Sequence, residues 1–206
     1  MTLIKELLSI SAGLIMLFSF IPYSKDILAG KVKPARSTRL MFVLLWILLI
    51  LQQRSLGSGW LLAMSYGDAI GAVSILFLSF KKGVGGLTKV DLACYCLLLV
   101  DVIVWVSTGS AFVALLLSIV GDVISMTPVL IKTWRQPWTE TVLFFALGVV
   151  APLLNLAGSN RYSLAIIVFP IYIAVINLVE AILILYRQSQ IPSPHKAPQP
   201  GHEPLS

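Results

Sequence analysis

The chain is 206 residues long, 58% hydrophobic and only 12% charged, with a mean hydropathy of +0.93. A soluble domain is about half apolar and a quarter charged, so a soluble fold with a polar coat is excluded. The net charge of +6 does not mark a nucleic-acid binder, because the basic residues sit beside long apolar runs, where the inward bias of membrane loops accounts for them.

An α-helical span needs roughly 20 apolar residues to cross roughly 30 Å of hydrocarbon. In chain order the sequence predicts seven, at residues 4–22, 38–54, 60–80, 88–107, 110–131, 140–157 and 162–186. The first follows Lys5 and lacks a small-x-small cleavage pattern, so it reads as a retained span. Ser37/Thr38, Ser58, Thr88, Ser110 and Thr139 are N-cap types that mark helix starts. Pro22 and Pro128, late in the first and fifth spans, read as hinges or as plain helix ends. Gly83, Gly85 and Gly86 form the third connection; no Gly-Lys-Ser/Thr follows them, so a flexible turn is expected rather than a phosphate loop. Cys94-Tyr95-Cys96 suits neither a disulfide nor a metal site. The stretch from Gln188 to Ser206, rich in Pro, Ser, Gln and His, is expected to be a disordered tail.

Of the 15 lysines and arginines, all but Lys5, Arg54 and Arg161 fall in the first, third and fifth connections or the tail. The positive-inside bias therefore predicts an outside N-terminus and a cytoplasmic C-terminus.

Residues Phe20 to Phe80 match Met126 to Leu185. Pro22 aligns with Pro128; after a gap in the loop, Pro34 aligns with Pro137, Thr38 with Thr141, Phe42 with Phe145 and Gln52 with Asn155. The two units begin four spans apart, an even number, so they run parallel through the membrane. The expected fold is an all-α membrane protein of seven transmembrane helices. Residues 1–80 form a first three-helix repeat, 81–108 a linker helix, 109–187 a second repeat and 188–206 a tail. Parallel repeats about the membrane normal are a transporter architecture, with a solute site at mid-depth between the halves.

The residues Ile21-Pro22-Tyr23, followed by Lys33-Pro34-Ala35-Arg36-Ser37-Thr38, and Thr127-Pro128-Val129, followed by Trp134-Arg135-Gln136-Pro137-Trp138-Thr139-Glu140-Thr141, resemble the PQ-loop superfamily. Within it the chain is most similar to the SWEET and SemiSWEET sugar facilitators. The resemblance covers about residues 8–186 and implies alternating access, with bending near the prolines. It also implies a pocket asparagine in the seventh span, where Asn177 stands.

Charged side chains at the bilayer centre cost at least ~2.5 kcal/mol on insertion scales. Asp68, Asp101, Asp122 and Glu180 nevertheless fall within spans. Trp46, Asp68 and Asp122 lie near their span centres and Asn177 slightly inward of its own, so these four are the candidate substrate-binding residues. Each has a plainer alternative: lipid-facing bulk for Trp46, helix–helix hydrogen bonds for the polar three. Ser118, Asp122 and Ser125 recur on one helical face. Asp101 reads as structural or interfacial, and Glu180 as a residue of the inner mouth.

The expected function is transport of a small polar solute, sugar or amino-acid-like, across a cytoplasmic membrane, by facilitated diffusion or with protons carried by Asp68 and Asp122. The expected partners are the bilayer, the solute and, in the coupled version, protons. No catalytic residue, metal or cofactor is expected. The rival readings are a non-transporting membrane adaptor and an intramembrane aspartyl protease. The protease wants Gly-x-Gly-Asp, and the chain has Ser65-Tyr66-Gly67-Asp68 and Ile119-Val120-Gly121-Asp122. A retinal protein is excluded, since the seventh span has no lysine for a Schiff base.

Overall fold

The computed structural model describes residues 2–30 and 32–192. Among these residues the chain is all-helical, without strands: α1 (Thr2–Leu28), α2 (Arg36–Ser55), α3 (Leu62–Lys82), α4 (Lys89–Thr108), α5 (Ala111–Arg135), α6 (Val142–Ala157) and α7 (Leu164–Gln190). Short 3-10 turns, Gly59–Leu61 and Pro137–Thr139, precede α3 and α6. All but α6 are long and apolar enough to cross a bilayer. α6 is also apolar, but its 16 residues rise only about 24 Å at 1.5 Å per residue.

The surface is what a lipid environment requires. Large apolar side chains such as Phe77 (68% exposed) and Val106 (80%) point outward, while Gln52, Asn155 and Glu180 are fully buried. Backbone polar groups are satisfied inside the helices, the arrangement hydrocarbon demands.

Helix starts follow local chemistry, with corrections to the expected caps. Thr88 forms a full capping box with Asp91, and Ser110 accepts from the Val113 N–H. Thr139 instead ends a 3-10 turn, and α6 starts after Thr141. α2 begins at Arg36, because Ser37 and Thr38 commit their hydroxyls elsewhere: both lie within bonding distance of the Asp91 carboxylate, at 2.9 and 2.7 Å. The Tyr95 hydroxyl donates to the Ser37 carbonyl at 2.9 Å, and Arg36 Nε to the Ser79 carbonyl at 3.2 Å. The glycine-rich connection, expected to be a flexible turn, is pinned by the same cluster. Val84 N–H donates to Pro34 O, and Arg36 N–H to Val84 O, each at 3.0 Å.

Pro22 and Pro128 do not end their helices. α1 continues to Leu28 and α5 to Arg135, nearly two turns further. Each proline frees one carbonyl four residues back, a local loss that a packed membrane helix absorbs. The expected tail from Gln188 is corrected in its first residues. α7 runs through Gln190, Gln188 Nε2 donates to Pro137 O at 3.2 Å, and Trp138 Nε1 donates to Ile191 O at 3.0 Å. The rest of that tail, 193–206, lies outside the described residues.

Helix packing follows a closed order. α3 lies between α1 and α2; α7 lies between α5 and α6; α2 meets α5 and α6 meets α1. Six helices thus form a ring. α4 packs on α5 and more lightly on α2, and buries only Asp91, Cys94 and Asp101.

Candidate functional site

Inside the ring is a cavity of about 350 Å³ with side chains from all six helices on its wall. It reaches the end of the bundle that carries the α1–α2 and α5–α6 connections, where Lys33, Pro34 and Glu140 line its mouth. The four candidate residues picked for their depth within the spans, Trp46, Asp68, Asp122 and Asn177, all line this one cavity. Pro128 lines it too; Pro22 is half-buried in α1 and outside the lining.

Helix arithmetic orders the wall by depth. Gln52 on α2 meets Ser118 on α5, which fixes one level. Asp122 lies one turn from Ser118 toward the mouth, and Trp46 nearly two turns from Gln52. Lys132 is about 15 Å further along α5 than Asp122. The floor therefore carries two carboxylates, the middle is aromatic with an amide, and the mouth is basic.

Each wall residue is held differently. Asp122 Oδ2 accepts a 2.6 Å hydrogen bond from the Tyr172 hydroxyl of α7. Asp68, 3% exposed, has a buried Oδ2 with no hydrogen-bond partner among the described residues. Asn177 Nδ2 donates to the Ile173 carbonyl of its own helix at 2.8 Å, and its Oδ1 lies against Gly148 of α6, where a Cβ would collide with it. That amide thus packs two helices and lines the cavity as well. Trp46 is 8% exposed and meets the Phe169 ring edge-on at 5.9 Å, so it faces inward rather than lipid.

At the mouth, Arg39 donates to the Tyr23 hydroxyl at 2.8 Å and stacks over Tyr23 and Phe42. Lys132 pairs with Glu140 at 2.7 Å. Thr133 donates to Glu180, whose other oxygen is buried without a partner among the described residues. Glu180 stands beside the mouth but does not line it.

The opposite end is closed. Gly13 and Gly67 let α1 and α3 touch backbone to backbone, leaving no room for a Cβ on either. Gly158 does the same for α6 against Ser9 of α1. Lys5 Nζ donates to the Ser159 carbonyl at 2.9 Å, and Asn155 Nδ2 to the Leu61 carbonyl at 3.1 Å. Gln53 and Ser65 bond at 2.9 Å. On the α2–α5 seam Gln52 Nε2 reaches both oxygens of Asp101 at 3.1 Å, and Ser118 donates to the same carboxylate. Asp101 thus ties α4 to the ring. The Ser118–Asp122–Ser125 face divides its work: Ser118 serves that tie, and only Asp122 lines the cavity.

Sequence reasoning missed Arg39 and Tyr172. Arg39 was counted as a loop charge, although its place one turn inside α2 puts it at the mouth. Tyr172 has the aromatic body of a core residue, and its partner lies 50 residues away. Among the described residues no cluster of His, Cys, Asp or Glu could hold a metal ion. Compared with protein-family models, curated proteins and solved structures, the chain matches none.

Proposed function

We propose that the chain is a seven-span membrane transporter for a small polar solute, of PQ-loop type and SWEET-like, working by alternating access in a cytoplasmic membrane. One observation carries the reading: a solute-sized cavity on the bundle axis, open at one end and sealed by glycine contacts and hydrogen bonds at the other. A pure packing scaffold has no use for a cavity floored by Asp68 and Asp122, since intramembrane carboxylates are costly and mark pathways.

The packing order supports two parallel repeats. α1–α3–α2 and α5–α7–α6 place the third helix of each unit in the middle, and the seams α1–α6 and α2–α5 exchange under a half-turn about the bundle axis. α4 then joins the units from outside as linker, and α6 with its preceding 3-10 turn is the seventh span. By the charge bias the mouth faces the cytoplasm, so this conformation is the inward-open one. Pro22 and Pro128 let the ends of α1 and α5 swing against the ring, closing the mouth while the α1–α3 and α1–α6 contacts part at the other side.

The test is flux. Purified protein in liposomes should exchange a labelled solute from a panel of sugars and amino acids, with and without a pH gradient. Asn177→Ala and Trp46→Ala should weaken that exchange while the protein stays folded. Absence of flux for every solute, from protein that elutes as a folded species, refutes the transport reading.

A further inference from the structure

We infer that the floor of the cavity is an ammonium site, so that the solute carries a cationic amino group and enters amino group first. The inference rests on the transport reading and narrows it: a neutral sugar is not the favoured cargo.

The case starts from what is left unmatched. Asp68 is 3% exposed, lines the cavity and keeps one buried oxygen without a partner among the described residues. Asp122 lines the same floor, and only its Oδ2 is engaged, by the Tyr172 hydroxyl. Two carboxylates share one small volume, and among the described residues no cation pairs with them. Lys132 is held by Glu140 at 2.7 Å, about 15 Å along α5 from Asp122. Arg39 is bound to Tyr23 at 2.8 Å near the mouth. Among the described residues the only ion pair on the cavity wall is the one between Lys132 and Glu140.

Carboxylates accept hydrogen bonds, and a charged donor makes the strongest of them. A sugar hydroxyl would leave both acids without a counter-charge in a low-dielectric site. A primary ammonium supplies three donors and the missing charge at once. The wall next to the floor suits the remainder of such a solute. Trp46 offers a ring that attracts cations through its π face, and Ala72 and Ile173 add an apolar surface. The ammonium could belong to a simple amine or to an amino acid. In an extended amino acid derivative the anionic end would point toward Arg39, whose Nε is buried and without a partner among the described residues.

The experiment measures binding to protein in lipid nanodiscs, separately from flux, with four probes: isoamylamine, L-leucine, N-acetyl-L-leucine and D-glucose. An ammonium floor predicts that at least one of the two free amines binds about tenfold or more tighter than N-acetyl-L-leucine and D-glucose, a charge-assisted bond having been removed. Asp68→Asn should collapse that preference to within about twofold. The preference is a ratio within one sample, so partial misfolding of the variant cannot imitate its loss. Isoamylamine bound as tightly as L-leucine identifies the amine alone as sufficient; L-leucine far tighter adds recognition of the carboxylate. The inference is overturned if N-acetyl-L-leucine or D-glucose binds as well as both amines, if the preference survives Asp68→Asn, or if none of the four binds. Glucose flux without amine preference would leave the transport reading standing and remove this one.

Discussion

Lys5→Met tests whether the sealed end is a gate. The ammonium of Lys5 donates to the Ser159 carbonyl at 2.9 Å, just past the end of α6, where the helix dipole places partial negative charge. The bond ties α1 to the chain just after α6, across the seam between those helices, and methionine keeps the length and apolar body of the side chain. A hydrogen bond to a charged group contributes about 1.5–3 kcal/mol when buried. Lys5 is only half-buried, so about 0.5–1.5 kcal/mol is the reasonable share. If the bond exists only while this end is closed, its loss raises the open population about twofold to about twelvefold. The readout is Ser9→Cys in a background lacking Cys94 and Cys96, because Ser9 is fully buried beneath Gly158. A membrane-impermeant thiol reagent applied from the Lys5 side should label it faster in Lys5→Met by that factor. Ser55→Ala removes a 3.0 Å bond within one exposed helix turn and should leave the rate unchanged. An unaltered rate in Lys5→Met, or an equal rise in Ser55→Ala, refutes the gate.

Asp122→Asn keeps an acceptor for Tyr172 and removes the titrating group. Solute exchange, weakened by the loss of one floor carboxylate, should remain measurable while uptake driven by a pH gradient is lost, and gradient-driven uptake that survives takes Asp122 out of the proton path. Gln52→Leu removes the two contacts of 3.1 Å that the Gln52 amide makes to the Asp101 carboxylate. At ~0.6 kcal/mol each in a membrane interior, unfolding in mixed micelles should become easier by about 1 kcal/mol. The double variant with Asp101→Leu should cost much less than the two single losses added, and additivity would mean that they are not one network. Gly148→Ala places a methyl where the Asn177 amide now lies. Solute affinity should fall about as far as in Asn177→Ala, and full affinity would show the amide to be idle. A reporter fused after Gln188 should read cytoplasmic and one at Met1 outside; the reverse would invert the assigned orientation.

Much of the architecture is legible because lipid imposes one rule along the whole chain. Apolar runs of about 20 residues located six long helices, and polar or aromatic residues near the middle of such runs located four side chains that share one cavity. Loop chemistry was harder to read. Ser37 and Thr38 look like caps, and only the fold shows that Asp91, more than 50 residues away, takes their hydroxyls. The prolines read equally as hinges or ends, since the sequence does not say whether packing will carry a helix past a lost hydrogen bond. Arg39 and Tyr172 were missed for a related reason: one charge counted for topology and one aromatic counted as bulk acquire meaning only from what stands opposite. Gly13 gave no warning that it would meet Gly67.

The knot at Asp91 bears on how the chain is made. Ser37, Thr38 and Thr88 all converge on its carboxylate, and Tyr95 closes over Ser37. During synthesis, then, the first three helices can be inserted while the loop between α1 and α2 still lacks its fastener, which arrives only when the start of α4 leaves the ribosome. A nascent chain arrested while residue 91 is still inside the ribosome should hold that loop open to proteases, and one arrested after the start of α4 has emerged should protect it. Assembly of the first half is thereby timed to the helix that follows it.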